Sequence, residues 1–184
     1  YAPLEDTQVG ALFWCVGDHT ATWKSDSLEM VGDVSGRTYD NVRSYLSSEN
    51  VIEMLDRGED PQEAVITRGR ELGLDVFVSV RMNDNHFNGL QPEDLAKLSL
   101  LDSGREMTGQ SNLDKVRIEH PEWLLGKQTA PWFACSWNFE VPEVREHKYT
   151  IIEEVCSRYD WDGLEMDWLR HNSHLPDDDG YRMR

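Results

Sequence analysis

The chain of 184 residues has little cysteine: Cys15, Cys135 and Cys156, widely spaced, with no CxxC pair. Each sits among apolar neighbours ("FWCVG", "WFACSW", "EEVCSRY"). An odd, scattered set argues against a disulfide framework or a zinc site and predicts buried free thiols. Long apolar runs are also lacking. Nothing approaches the roughly 20 residues of a membrane-spanning helix, so no membrane partner is expected. No basic-then-apolar leader opens the chain, and it starts at Tyr1 rather than Met, as expected of a processed or truncated piece. Compartment stays open, a secreted or periplasmic one included. Positive charge is scarce, with 18 Lys and Arg against 35 Asp and Glu and a net charge of −17. A phosphate backbone needs a basic face, so nucleic acid is not an expected partner. Oligomeric state is not legible in any of these features.

What is there is the composition of a globular protein, 39% hydrophobic and 29% charged with seven Trp, enough for one domain with a real core. "GALFWCVGDH", Gly10 to His19, reads as a buried strand ending in Asp18 and His19. Residues 20 to 38 read as loop, and a helix is expected near 40 to 56. "GEDPQEAVITRGRELG" carries helix punctuation at both ends. Asp60 is the N-cap candidate, Pro61 stands at N1, Glu63 completes a capping-box-like pattern and Gly73 suits C′. Ala64, Val65, Arg68 and Leu72 fall on its inner face, with the Arg68 stem covering apolar surface. "LDVFVSVRMNDNH" follows as a strand with Val76, Val78 and Val80 on one side. Residues 85 to 131 are irregular, and "WFACSWNFE" reads as short strand or extended chain. A segment of that length between strands is usually a lid or a binding wall. "VPEVREHKYTIIEEVCSRY" is the clearest helix, with Val144, Lys148, Ile151, Ile152, Val155 and Tyr159 at helical spacing. Asp162 stands to fix the turn before the last strand.

That strand, in "YDWDGLEMDWLRH", places Glu165 and Asp167 on one side and Leu164, Met166 and Trp168 on the other. Carboxylates inside a strand are costly unless a wet cavity or a partner receives them. Strand, helix, strand, long insertion, helix, strand is the order of a parallel α/β architecture, in which ligands bind at the carboxyl ends of strands. The three strands end in Asp18 and His19, in Arg81, Asn83, Asp84 and His86, and in Glu165, Asp167, Arg170 and His171. Their convergence predicts a shared polar pocket. Each residue also has a plainer reading. Asp167 can form a structural ion pair with Arg170 or Arg81, Glu165 can orient a neighbour, and His19 and His86 can cap loops. Trp123 in "HPEW" either stacks on a sugar ring or anchors its loop.

Together "GLDVFVSVRMNDNH", "HPEW", "NFEVPEVREH" and "YDWDGLEMDWLRH" resemble the glycosyl-hydrolase-like family 10 group of (β/α)8 barrels. The likeness is greatest to its bacterial members with a "DGLELDFMR"-type strand and spans most of residues 10 to 175. It implies that the chain is the N-terminal part of a TIM-barrel domain. Residues 10–17, 74–82 and the strand ending at Asp167 would be strands two, three and four, with a long insertion after strand three. The first strand would precede Tyr1 and strands five to eight would follow Arg184, since a whole barrel takes roughly 250 residues. Trp168 stands where Phe or Tyr is usual, and "HNSHLP" after Arg170 has its own wording.

The resemblance implies a hydrolase of O-glycosyl bonds acting on a poly- or oligosaccharide, without a cofactor. Such chemistry needs two carboxyl groups about the scissile bond. Asp167 is the first candidate and Glu165 the second, unless the partner lies on a strand outside this chain. Arg81 and Arg170 would lower a neighbouring carboxylate's pKa. Asn83, Asp84, His86, Trp123, Asn138, Glu140, Arg170, His171, Asp18 and His19 are candidate substrate contacts. Two other readings stay open: a metal-assisted hydrolase using Asp18, His19, His86 and Asp167, and a carbohydrate-binding protein without chemistry.

Overall fold

The structure, a computed structural model, describes residues 2–17, 19–33, 36–37, 39, 41–87, 89–98, 114–171 and 173–176. In chain order the elements are β1 (Ala11–Cys15), α1 (Val42–Asp56), α2 (Pro61–Glu71), β2 (Asp75–Arg81), α3 (Pro92–Leu98), α4 (Lys115–Glu119), α5 (Pro142–Arg158) and β3 (Gly163–Asp167). Helix starts follow capping chemistry. Asn41 accepts from the Ser44 amide at 2.8 Å and Asp60 from the Gln62 amide at 2.8 Å, with Pro61 opening α2. Asp114 accepts from the amides of Val116 and Arg117 at the head of α4. The "WFACSWNFE" segment begins in a 3-10 turn at Pro131–Phe133 and forms no strand, only an isolated bridge from Trp137 to Leu124.

The strands pair in parallel in the order β1-β2-β3. Phe13 stands beside Phe77 and Phe77 beside Gly163; Cys15, Ser79 and Glu165 form the next row; Arg81 and Asp167 face each other at the top. Val76, Val78 and Val80 point the other way and are fully buried beneath α2 and α5, with Val65, Ile66, Ile151 and Val155. A second, smaller core gathers Phe87, Leu95, Leu124, Cys135, Trp137 and Val144 under the long insertion. Asp162 locks the entry to β3, accepting from the Val76 amide at 2.7 Å and from Arg70 at 2.9 Å.

Several expectations need correction. The sheet is not part of a (β/α)8 TIM barrel: among the described residues it has three strands and lies open. Hydrophobic period and helix caps report that consecutive strands run parallel; they say nothing of strand number or closure, which depends on tilt and stagger across the whole sheet. As an outer strand, β1 is not buried. Phe13 and Trp14 keep 52% and 37% of their surface exposed, and Cys15 is exposed too. Cys156 is exposed as well, leaving Cys135 as the buried thiol. The inner face of α2 is Gln62, Val65, Ile66 and Gly69, turned by about one residue from the expected stripe. A Cβ on Gly69 would lie 2.4 Å from Val76 Cγ2, so the glycine sets the closest approach of α2 to the sheet. Ala64 is therefore exposed, and Arg68 reaches outward to Glu5 and Glu71. No helix among the described residues is long and apolar enough to cross a membrane.

Candidate functional site

The chain leaves β2 through Arg81, Met82, Asn83, Asp84, Asn85 and His86, and Asp84 becomes the hub of the sheet's carboxyl edge. It is 2% exposed. Its Oδ2 accepts from Arg81 Nη1 at 2.6 Å and lies 3.1 Å from His86 Nε2. Its Oδ1 lies 3.4 Å from His171 Nδ1 and 3.5 Å from Arg170 Nε. Burial alone would push the carboxyl up. The hydrogen-bonding His171 and His86 rings outweigh burial and hold it well below the usual carboxylate range. Asp84 is thus a fixed anion, unsuited to giving a proton. The neighbouring carboxylate that Arg81 and Arg170 act on is this one.

Behind the hub lies Arg117, fully buried on α4. It donates to the Asp84 carbonyl at 2.9 Å and to Asp114 Oδ2 at 3.1 Å, and its guanidinium stacks 4.3 Å from the centre of the Trp137 ring. Its Nη1 also lies 2.5 Å from His19 Nδ1. A guanidinium has donors only, so Nδ1 must accept and the neutral His19 ring carries its proton on Nε2. His171 Nδ1 lies 3.0 Å from the Asn85 amide nitrogen and 3.4 Å from Asp84 Oδ1. Burial at Arg117 had no signal in the sequence beyond the Asp114 cap three residues before it.

A cavity of about 430 Å³ opens in front of this hub, between the ends of β1 and β2, α1 and the loop after β1. His19, Arg81, Asp84 and His86 line it with Thr20, Ser47 and Ser48. Of the residues expected from sequence, Asp18 lies outside the described residues. Asp167 is half-buried beside Arg81 on the adjacent strand and accepts from the Leu169 amide at 2.9 Å. Glu165 is exposed, one register row below. Arg170 and His171 come back to Asp84. Asn83 is buried and its amide is taken up by backbone. Its Oδ1 accepts from the Trp137 amide at 2.8 Å, and its Nδ2 donates to the carbonyls of Trp137 and Ser173. Asn138 accepts from the Glu140 amide at the head of α5, with Glu140 exposed. Trp123 stacks on His120 at 4.0 Å and lines a separate groove with Glu143 and Glu146, sharing no lining residue with the Asp84 cavity.

Compared with known proteins, the chain matches no family model and no curated protein.

Of the described residues, His19, Asp84 and His86 bring ligand-type atoms within 4.8 Å of one another. Ligating histidines ordinarily donate their second nitrogen to a carboxylate or carbonyl. Here Arg117 donates to His19 Nδ1, so coordination through Nε2 would set a protonated Nδ1 against another donor. Arg81, Arg117 and Arg170 crowd the same carboxylate or its backbone. The donor set suits an electron-rich ligand better than a cation.

Proposed function

We propose that the protein is a glycan hydrolase in which Asp167 is the carboxylate that attacks the anomeric carbon or activates water. Support comes above all from one observation: Asp167 ends β3 directly opposite Arg81, and Arg81 lines a cavity with His19, Asp84 and His86, although Asp167 is not itself a lining residue. Cleaving a glycosidic C–O bond requires that carboxylate and a carboxylic acid that protonates the departing oxygen. Glu165 is the candidate acid within the chain, two residues before Asp167 on the same side of β3, about 6.6 Å away along the strand. Asp84, with its oxygens turned onto cations, holds Arg81 and His86 in place. The motif likeness to the glycosyl-hydrolase-like group points the same way.

The test is Asp167→Asn, with Glu165→Gln beside it, against a panel of oligosaccharides. Hydrolysis should fall by about 100-fold or more in Asp167→Asn, the usual range for a lost acid–base group, while glycan binding survives. Unchanged hydrolysis in that variant would remove Asp167 from the chemistry. A wild-type protein that binds glycans and cleaves none would leave the binding reading standing. A metal-assisted hydrolase has the His19–Asp84–His86 grouping in its favour and the Arg117–His19 hydrogen bond against it. Dependence of activity on a chelator-sensitive metal would reverse that order.

A further inference from the structure

We infer that the Asp84 cavity receives an oxyanion, a carboxylate or sulfate carried on the sugar. The inference rests on the glycan reading only for the ring that bears this anion. Among the described residues lining the cavity, Asp84 is the sole carboxylate, and its oxygens face Arg81, His86, Arg170 and His171. Its Oδ2 is therefore already engaged by Arg81 and His86. Arg81 supplies the charged donors of the wall. Arg81 spends Nη1 on Asp84, and its side chain is 29% exposed, so part of its five-donor fork faces the opening. His86 directs its Nε2 proton at the Asp84 carboxylate and so helps to hold that group in place. His19 has its Nδ1 lone pair occupied by Arg117. Thr20 from the loop after β1 and Ser48 from α1 contribute hydroxyls, while the Ser47 hydroxyl donates to the Ser44 carbonyl.

A wall of this kind is complementary to a group with several acceptor oxygens and a negative charge. Guanidinium is the side chain best matched to planar or tetrahedral oxyanions, because two parallel N–H bonds fix orientation as well as energy. A neutral sugar hydroxyl satisfies one donor at a time and leaves the Arg81 charge poorly matched. The overall charge of −17 does not forbid an anionic ligand, since fields from distant carboxylates fade beyond about 8 Å at physiological salt.

Calorimetric titration of the full chain with glucose, glucuronate, glucose 6-sulfate and inorganic sulfate, at one pH and ionic strength, tests this. Glucuronate or the sulfated sugar should bind at least about 10-fold tighter than glucose, and the stronger of the two names the anion. Arg81→Gln should erase the preference. If that variant fails to fold, Arg81→Lys keeps the pairing with Asp84 but loses the fork, and the preference should shrink. Equal binding of glucose and the charged sugars overturns the inference, as does a preference that survives in folded Arg81→Gln. Stoichiometric zinc binding that His19→Gln abolishes overturns it in favour of a cation site. The two proposals fail separately. Neutral glycans cleaved without anion preference leave the hydrolase and remove the oxyanion, whereas acidic sugars bound but never cleaved do the reverse.

Discussion

Arg117 lies 2.5 Å from His19 Nδ1, and this contact between a helix of the long insertion and the loop after β1 decides which nitrogen of His19 carries a proton. It also makes Arg117 a buried cation shared among Asp114, the Asp84 carbonyl and the face of Trp137. Such a charge is tolerated inside only because each partner is in place.

Arg117→Met should therefore cost about 3–5 kcal/mol, because it strands the buried Asp114 carboxylate. For a chain of this size the melting temperature should fall by roughly 6–20 °C, measured by calorimetry. Nitrogen-15 NMR of the wild type should find the His19 proton on Nε2. An unchanged melting temperature, or a proton on Nδ1, would contradict the arrangement.

Gly69→Ala sets two effects against each other. Helix propensity favours alanine by about 1 kcal/mol. Against it, the new methyl would sit 2.4 Å from Val76 Cγ2, and crowding a packed core costs about 1–3 kcal/mol. Crowding should win, giving a net loss seen as a lower denaturation midpoint. Adding Val76→Ala should recover part of it, and a double-mutant cycle without coupling would show that the helix does not approach the sheet there.

Glu154 on α5 ties down the loop that walls the cavity. It accepts from Trp23 Nε1 at 3.2 Å, Ser25 Oγ at 2.7 Å, the Asp26 amide at 2.9 Å and the Ser27 amide at 3.1 Å, and also from the Ser27 hydroxyl. Glu154→Gln would turn an amide NH2 group toward donors. The expected loss is about 2 kcal/mol, read as a fall of roughly 4–8 °C in melting temperature, with Trp23 fluorescence reporting a loosened loop.

Acid should destabilise the fold through carboxylates whose pKa is depressed, Asp84, Glu154 and Asp162 among them. In Asp84 and Glu154, burial is outweighed by the surrounding rings or donors; in Asp162 the Val76 amide leads, then Arg70. Each binds fewer protons folded than unfolded, so its contribution is complete above the unfolded values of about 3.9 for Asp and 4.3 for Glu. It is lost as pH falls below them toward the folded pKa. His174, lowered by burial, adds an earlier loss as pH falls below about 6.5. Melting temperature should thus step down slightly near pH 6 and steeply below about pH 4. A flat profile from pH 7 to pH 3 would refute these shifts.

Strand and helix positions were legible in the sequence because they rest on short-range rules. The valines at 76, 78 and 80, the Asp60–Pro61 start of α2 and the apolar spacing of α5 each appear where period and capping put them. The gathering of charged residues after the three strands was legible too, since parallel strands must present their carboxyl ends together. The tertiary structure alone decided that the sheet stays open with three strands, that Asp84 rather than Asp167 is the buried hub, and that Arg117 reaches His19 across 98 residues. Those outcomes depend on which distant side chains share a dehydrated space, where a single donor or acceptor fixes a proton, and no local pattern carries that information.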